Sequence, residues 1–174
     1  MVGHSMGATI ALAYVVQHQD GLAGLLVSGA GLEAGASLPL SIKLAARLIS
    51  LFRPRMGVAL LDASAISRDE AVVNAYVNDP LVYRGKITAR LGVELIKTVE
   101  RLPSQLPAIK IPILIMHGTD DRLCDPKGSR KLYEKVGSQD KTLKLYEGFY
   151  HEIFNEPEHG QVMADMEAWL AARV

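Results

Sequence analysis

The sequence holds one cysteine, Cys124, in 174 residues, which leaves no internal disulfide and no thiolate cluster for a zinc site. It has no excess of either charge, since nineteen basic residues stand against nineteen acidic ones. A chain without a basic face lacks the electrostatic footprint of a nucleic-acid binder, so no nucleic-acid partner is expected. No apolar run reaches the roughly 18–20 residues of a membrane span. No basic segment followed by an apolar run opens the chain, and repeats and low-complexity tracts are missing too. A soluble protein, cytoplasmic or peripheral to a membrane, is expected. Against these absences, 49% of the residues are hydrophobic, enough for a packed core rather than a disordered or coiled-coil chain.

Punctuation and hydrophobic period divide the chain into three segments. In residues 1–34, an Ala-rich apolar stretch at 8–16 predicts a buried helix that ends near Asp20 and Gly21, and Leu25–Ser28 predicts a strand buried on both faces. Residues 35–105 carry Pro39, Pro54, Pro80 and Pro103 and only helix-period patterns. Leu38, Ile42, Ala45, Leu48, Ile49 and Phe52 mark one apolar face, and Val93, Ile96 and Val99 mark another. Residues 106–174 return to alternation: strands at 113–116 and 142–146, and helices at 127–136 and 161–173. The last helix turns Val162, Met166, Trp169 and Leu170 inward. Strands alternating with helices imply an α/β fold, a parallel sheet flanked by helices. The middle segment reads as a helical insertion between two of its strands.

Gly3-His4-Ser5-Met6-Gly7 fits G-x-S-x-G, immediately before the first predicted helix. The chemistry explains the spacing. A serine on a tight strand-to-helix turn is pushed out of the sheet, and glycines two residues to either side keep side chains off the crowded backbone. On its own, an N-capping serine at a small-residue helix start is the simpler reading. A serine nucleophile also needs a base and an acid that holds the base in the right tautomer, in the chain order Ser, Asp or Glu, His. Both follow predicted strands: His117-Gly118-Thr119-Asp120-Asp121-Arg122 after 113–116, and Glu147-Gly148-Phe149-Tyr150-His151 after 142–146. Asp120, Asp121 and Asp125 are all candidates for the acid on position alone. His4 reads as packed, His18 and His159 as solvated, and His117 as a strand-end residue that bonds neighbouring loops. Cys124 reads as a small buried hydrophobe beside the site.

These three motifs, the acid loop continuing through Leu123-Cys124-Asp125 and the histidine loop running from Tyr146 to Glu152, resemble those of the monoacylglycerol lipases. Those are α/β-hydrolases of the group that includes lysophospholipases and serine aminopeptidase-like hydrolases. The stretches Ile66-Ser67-Arg68-Asp69 and Asn78-Asp79-Pro80-Leu81-Val82 resemble the cap of the same family. The resemblance implies an α/β-hydrolase fold with 1–34 and 106–174 as hydrolase core and 35–105 as a helical cap or lid. It implies Ser5 as nucleophile, Asp121 as orienting acid through the pattern G-x-x-D-x-aliphatic (Gly118, Asp121, Leu123), and His151 as general base. Asp120 becomes a solvated turn residue, and Asp125 a cap for the helix that follows. The backbone N–H of Met6, whose side chain is expected to pack, becomes an oxyanion donor.

The reaction implied is hydrolysis of a monoacylglycerol, or another small lipid ester, through an acyl-enzyme, with no metal or organic cofactor. A lysophospholipase or general carboxylesterase is the alternative; a peptidase has no support in the residues. The amphipathic stretch 38–52, flanked by Lys43, Arg47, Arg53 and Arg55, suits a lid with its apolar face inward or down against a membrane. The family's sheet has further strands ahead of the elbow that this sequence lacks, and with them a second oxyanion donor. The expectation is therefore the C-terminal portion of a larger domain, with an inactive fragment as the alternative to an active hydrolase, and the exposed edge of the 25–28 strand as a place for self-association.

Overall fold

The computed structural model describes residues 1–33, 35 and 38–173. The first segment forms strand β1 (Val2–His4), helix α1 (Met6–Val15) and strand β2 (Leu25–Ser28). Helix α2 (Leu40–Phe52), strand β3 (Gly57–Ala59), helix α3 (Glu70–Asn78), strand β4 (Ile87–Thr88) and helix α4 (Ala89–Gln105) follow. The last segment forms strand β5 (Ile113–Gly118), helix α5 (Lys127–Lys135), strand β6 (Lys141–Tyr146) and helix α6 (His159–Ala171).

Four strands make a parallel sheet in the order β1-β2-β5-β6. The alternation of side chains along β2 and β5 builds a core on each face. Leu25, Val27, Ile113 and Ile115 pack with Ala8, Leu12 and Val15 of α1, Leu102 of α4 and Leu132 of α5. Leu26, Leu114 and Met116 point the other way, onto Val162 and Trp169 of α6, with Met166 and Leu170 packed at the margin. Every residue of β2 and β5 is buried. That is why both read as unbroken apolar runs rather than as alternating patterns.

Three expectations change. The 35–105 segment is not purely helical, because β3 and β4 pair antiparallel within it; strands of three and two residues are too short to show a period. The apolar face of α2 does not turn inward, since Leu38, Ile42, Ala45, Leu48 and Phe52 are exposed and only Ile49 is half-buried; Leu40, Leu44 and Leu51 are exposed as well. The helix is instead tied to α4 by polar contacts, Lys43 Nζ lying 2.7 Å from Glu100. The exposed sheet edge belongs to β1 rather than β2, because Val2, Gly3 and His4 pair with Leu26, Val27 and Ser28 and make β2 an interior strand. Among the described residues, no helix is long and apolar enough to cross a membrane.

Candidate active site

Ser5 sits between β1 and α1 with φ 54° and ψ −121°, and among the described residues no other non-glycine has positive φ. Holding a side chain there costs about 1–3 kcal/mol, a strain that marks functional turns. Two contacts impose it. The Ser5 N–H donates to the Ser28 carbonyl at 2.9 Å, and α1 lies so close over β1 that a Cβ on Gly3 would stand 2.6 Å from the Gly7 carbonyl oxygen. The steric need for glycine holds at Gly3 but not at Gly7, where a Cβ would meet nothing within 4 Å outside its own helix. Met6, the first helical residue, has no i−4 carbonyl for its N–H. Its side chain is exposed rather than packed, and it lines a cavity that opens on Ser5.

The acid and histidine loops leave neighbouring strands and are zipped together. A Cβ on Gly118 would lie 2.3 Å from the Phe149 carbonyl oxygen, so only glycine admits this approach. Thr119 N–H donates to Tyr146 O at 2.9 Å, Asp120 N–H to Phe149 O at 3.0 Å, and Gly148 N–H to Thr119 Oγ1 at 2.8 Å. Asp121 and His151, both buried, meet as a result: Asp121 Oδ2 accepts from His151 Nδ1 at 2.7 Å. The other oxygen, Oδ1, accepts from the N–H groups of Leu123 at 2.8 Å and Cys124 at 2.9 Å. Burial alone would raise the Asp121 pKa. The hydrogen bonds from His117 and His151, the attraction of His151 and the Cys124 N–H outweigh it and hold the carboxyl well below its ordinary range. Asp120 is exposed, and Asp125 Oδ1 takes the Lys127 N–H at 2.9 Å at the start of α5.

Four contacts were not legible beforehand. His117, fully buried, brings Nε2 to 3.0 Å from the same Asp121 oxygen. His4 packs its ring against His151 with centroids 4.8 Å apart and bonds Ser28 Oγ at 2.7 Å. Burial first, then repulsion from His151, pushes the His4 imidazole down to about 4, so it is neutral at pH 7. Glu156, fully buried, ties the histidine loop to the middle segment by accepting from Tyr150 N–H at 2.9 Å and Arg68 Nε at 2.7 Å.

The fourth contact is Gly29. At φ +56°, a Cβ there would lie 3.0 Å from His151 Cε1 and 3.3 Å from His4 Cε1. Gly29→Ala is therefore expected to push the His151 ring off Asp121. Ester turnover should fall on the order of a hundredfold, with lower thermal stability from the positive φ. Unchanged kcat in a folded Gly29→Ala variant would refute this contact.

Cys124 is half-buried beside the Ser5 hydroxyl, and burial together with the Asp121 charge pushes its thiol up to about 12. It is a thiol at neutral pH, not a thiolate nucleophile. Asp121, Cys124 and His151 offer ligand atoms within 4.8 Å of one another. Both Asp121 oxygens already accept N–H groups, however, so the arrangement is that of a hydrogen-bonded pair rather than a metal cage. The cavity on Ser5, about 430 Å³, is walled mainly by Leu61, Tyr83, Ile87, Leu91, Leu95, Val99 and Leu123. Its volume lies within the ~300–1,000 Å³ of small-ligand sites.

A parallel sheet with a serine on its strand-to-helix turn, and acid and histidine loops at the C-terminal ends of later strands, is the core of an α/β-hydrolase. The serine aminopeptidase S33 family profile matches residues 1–158, and the chain belongs to that family. Its resemblance to the monoacylglycerol lipases extends over its whole length. The monoacylglycerol lipase of Mycolicibacterium smegmatis is 37% identical over 174 residues, covering 100% of this chain and 62% of the relative. The crystal structure of Paleococcus ferrophilus monoacylglycerol lipase superposes with a TM-score of 0.91 at 30% identity, covering 99% of this chain and 68% of that one. A soluble variant of Saccharomyces cerevisiae monoglyceride lipase, in complex with a substrate analog, superposes at 0.85 with 30% identity over 100% of this chain and 62% of that one. The chain thus spans about three fifths of the length of the curated relatives it matches.

Proposed function

We propose that the chain carries the catalytic triad of a serine hydrolase that cleaves monoacylglycerols to glycerol and fatty acid. Ser5 attacks the ester carbonyl while His151 takes its proton, and Asp121 holds His151 with Nε2 free to do so. The Met6 N–H, at the positive end of α1, stabilises the oxyanion. Glycerol leaves with a proton from His151, and a water activated by His151 releases the fatty acid from the Ser5 ester. The observation that carries this reading is the apolar cavity that opens on Ser5, which suits an acyl chain better than a polar or peptide substrate. Residues 35–105 act as its cap and supply most of the apolar wall, while 1–34 and 106–174 supply the triad.

The relatives' names point to the same substrate class. A panel of monoacyl-, diacyl- and triacylglycerols tests it: monoacylglycerols are expected to give the highest kcat/KM, and preference for a short water-soluble ester would favour a general carboxylesterase.

One observation favours a lysophospholipase as the second reading. A polar cavity of about 390 Å³, lined by Ser64, Arg68, Glu70, Asn74, Arg122 and Tyr150, adjoins the loops of Asp121 and His151. Arg68 is paired with Glu156 and Glu158. The Arg122 guanidinium lies over the Tyr150 ring and attracts the exposed Asp62 carboxylate without a direct salt bridge among the described residues. On this reading Arg122→Gln lowers kcat/KM for a lysophospholipid and leaves a monoacylglycerol unaffected.

The outward apolar face of α2, with Arg47 and Arg53 exposed beside it, suits contact with the membrane that holds the substrate. Leu48→Asp with Leu51→Asp is expected to reduce co-sedimentation with anionic liposomes several-fold without changing hydrolysis of a soluble ester. Unchanged sedimentation would count against a membrane-facing cap.

A further inference from the structure

We propose that His117 is a positioning residue for this site. From behind Asp121 it donates a hydrogen bond to the carboxylate oxygen that His151 uses, and so sets how basic His151 is. The catalytic consequence rests on the serine-hydrolase reading, whereas the contact itself stands on geometry.

His117 Nε2 faces two oxygens, Asp121 Oδ2 at 3.0 Å and the Cys124 carbonyl at 3.0 Å. A carbonyl and an ionised carboxylate can only accept, so Nε2 carries the ring proton. Nδ1 lies 2.6 Å from Ser129 Oγ at the start of α5, whose hydroxyl donates to it. Every polar atom of the two buried side chains is then paired. The chain of donors runs from Ser129 O–H to His117 Nδ1, and from His117 Nε2–H to Asp121 Oδ2, which His151 Nδ1 reaches from the other side.

Two N–H groups therefore share one carboxylate oxygen. The negative charge of that oxygen is what stabilises the His151 imidazolium as it forms. A second donor draws part of this charge away, so His151 is less basic than it would be with Oδ2 to itself. The same bond, with the Leu123 and Cys124 N–H groups on Oδ1, stops the carboxylate from rotating. The other titratable or charged groups here are His4 at the end of β1, Cys124 in the acid loop, and Arg122, which lies over Tyr150.

Nitrogen-15 NMR of the histidine side chains in the unaltered protein is expected to show His117 with its ring proton on Nε2 and Nδ1 accepting from Ser129. An Nδ1–H tautomer would overturn the proposal. His117→Leu is expected to raise the His151 titration midpoint by about half a unit to one unit. The acid limb of kcat/KM should move with it while KM stays nearly constant. His117→Gln, whose amide N–H can reach the same oxygen, should restore both. A His151 midpoint that stays put or falls in folded His117→Leu would overturn the proposal, as would a Gln variant that behaves like Leu.

If His117→Leu does not fold, the tautomer still decides. Because the titration needs no substrate, a protein without esterase activity still tests the contact. A shifted His151 without turnover would sink the hydrolase reading alone.

Discussion

Ser5→Ala is expected to lower ester turnover by about a millionfold, to the level that binding and oxyanion stabilisation sustain without a nucleophile. The size of the effect follows from the site. The half-buried Ser5 hydroxyl opens on the apolar cavity, and the neighbouring thiol of Cys124 is pushed up to about 12, so it supplies almost no thiolate as a substitute. Stability gives an independent check. Alanine keeps the positive φ that Ser5 holds, so Ser5→Ala should melt near the unaltered protein, while Ser5→Gly should be more stable by about 1 kcal/mol as the turn relaxes. Ester turnover and urea melts of the two variants separate chemistry from folding. Retention of more than a small fraction of activity in Ser5→Ala would remove Ser5 from the mechanism.

Asp121→Asn comes next in size, with an expected loss of about a thousandfold to ten-thousandfold in kcat. Asp121 accepts four N–H groups, two on each oxygen. An amide must turn its own NH2 toward one of these pairs. Facing the histidines, it forces His151 Nδ1 to accept, which places the ring proton on Nε2 and removes the base. Facing the Leu123 and Cys124 N–H groups, it opposes donor to donor in a buried pocket, costing about 1–3 kcal/mol. The first orientation removes activity and accounts for the expected loss, the second removes stability, and ester kinetics with denaturant melts on the same sample read which is taken. Near-normal kcat in a folded Asp121→Asn variant would place the acid elsewhere.

The strands and the order of the three motifs were readable because their causes are local. β2 and β5 are buried on both faces and show it as apolar runs, and a strained serine turn leaves glycine marks around it. What lay beyond reading depends on approach between distant segments. Gly29 belongs to no motif, and only the fold sets His151 and His4 against it. Glu156 carries no motif, yet it joins the histidine loop to Arg68, eighty-eight residues away. His117 was rightly read as a strand-end residue bonding a neighbouring loop, but that the loop atom is the acid's own carboxylate is tertiary information. The periodicity of α2 correctly located a helix and an apolar face, but period alone does not say whether core, solvent or membrane covers that face.

The most direct measurement is mass spectrometry of the protein treated with a fluorophosphonate, followed by peptide mapping. One adduct is expected, on Ser5, and it should be lost in Ser5→Ala and form far more slowly in Asp121→Asn. An adduct on any other residue, or no adduct on folded protein, would contradict a serine hydrolase built on Ser5, Asp121 and His151.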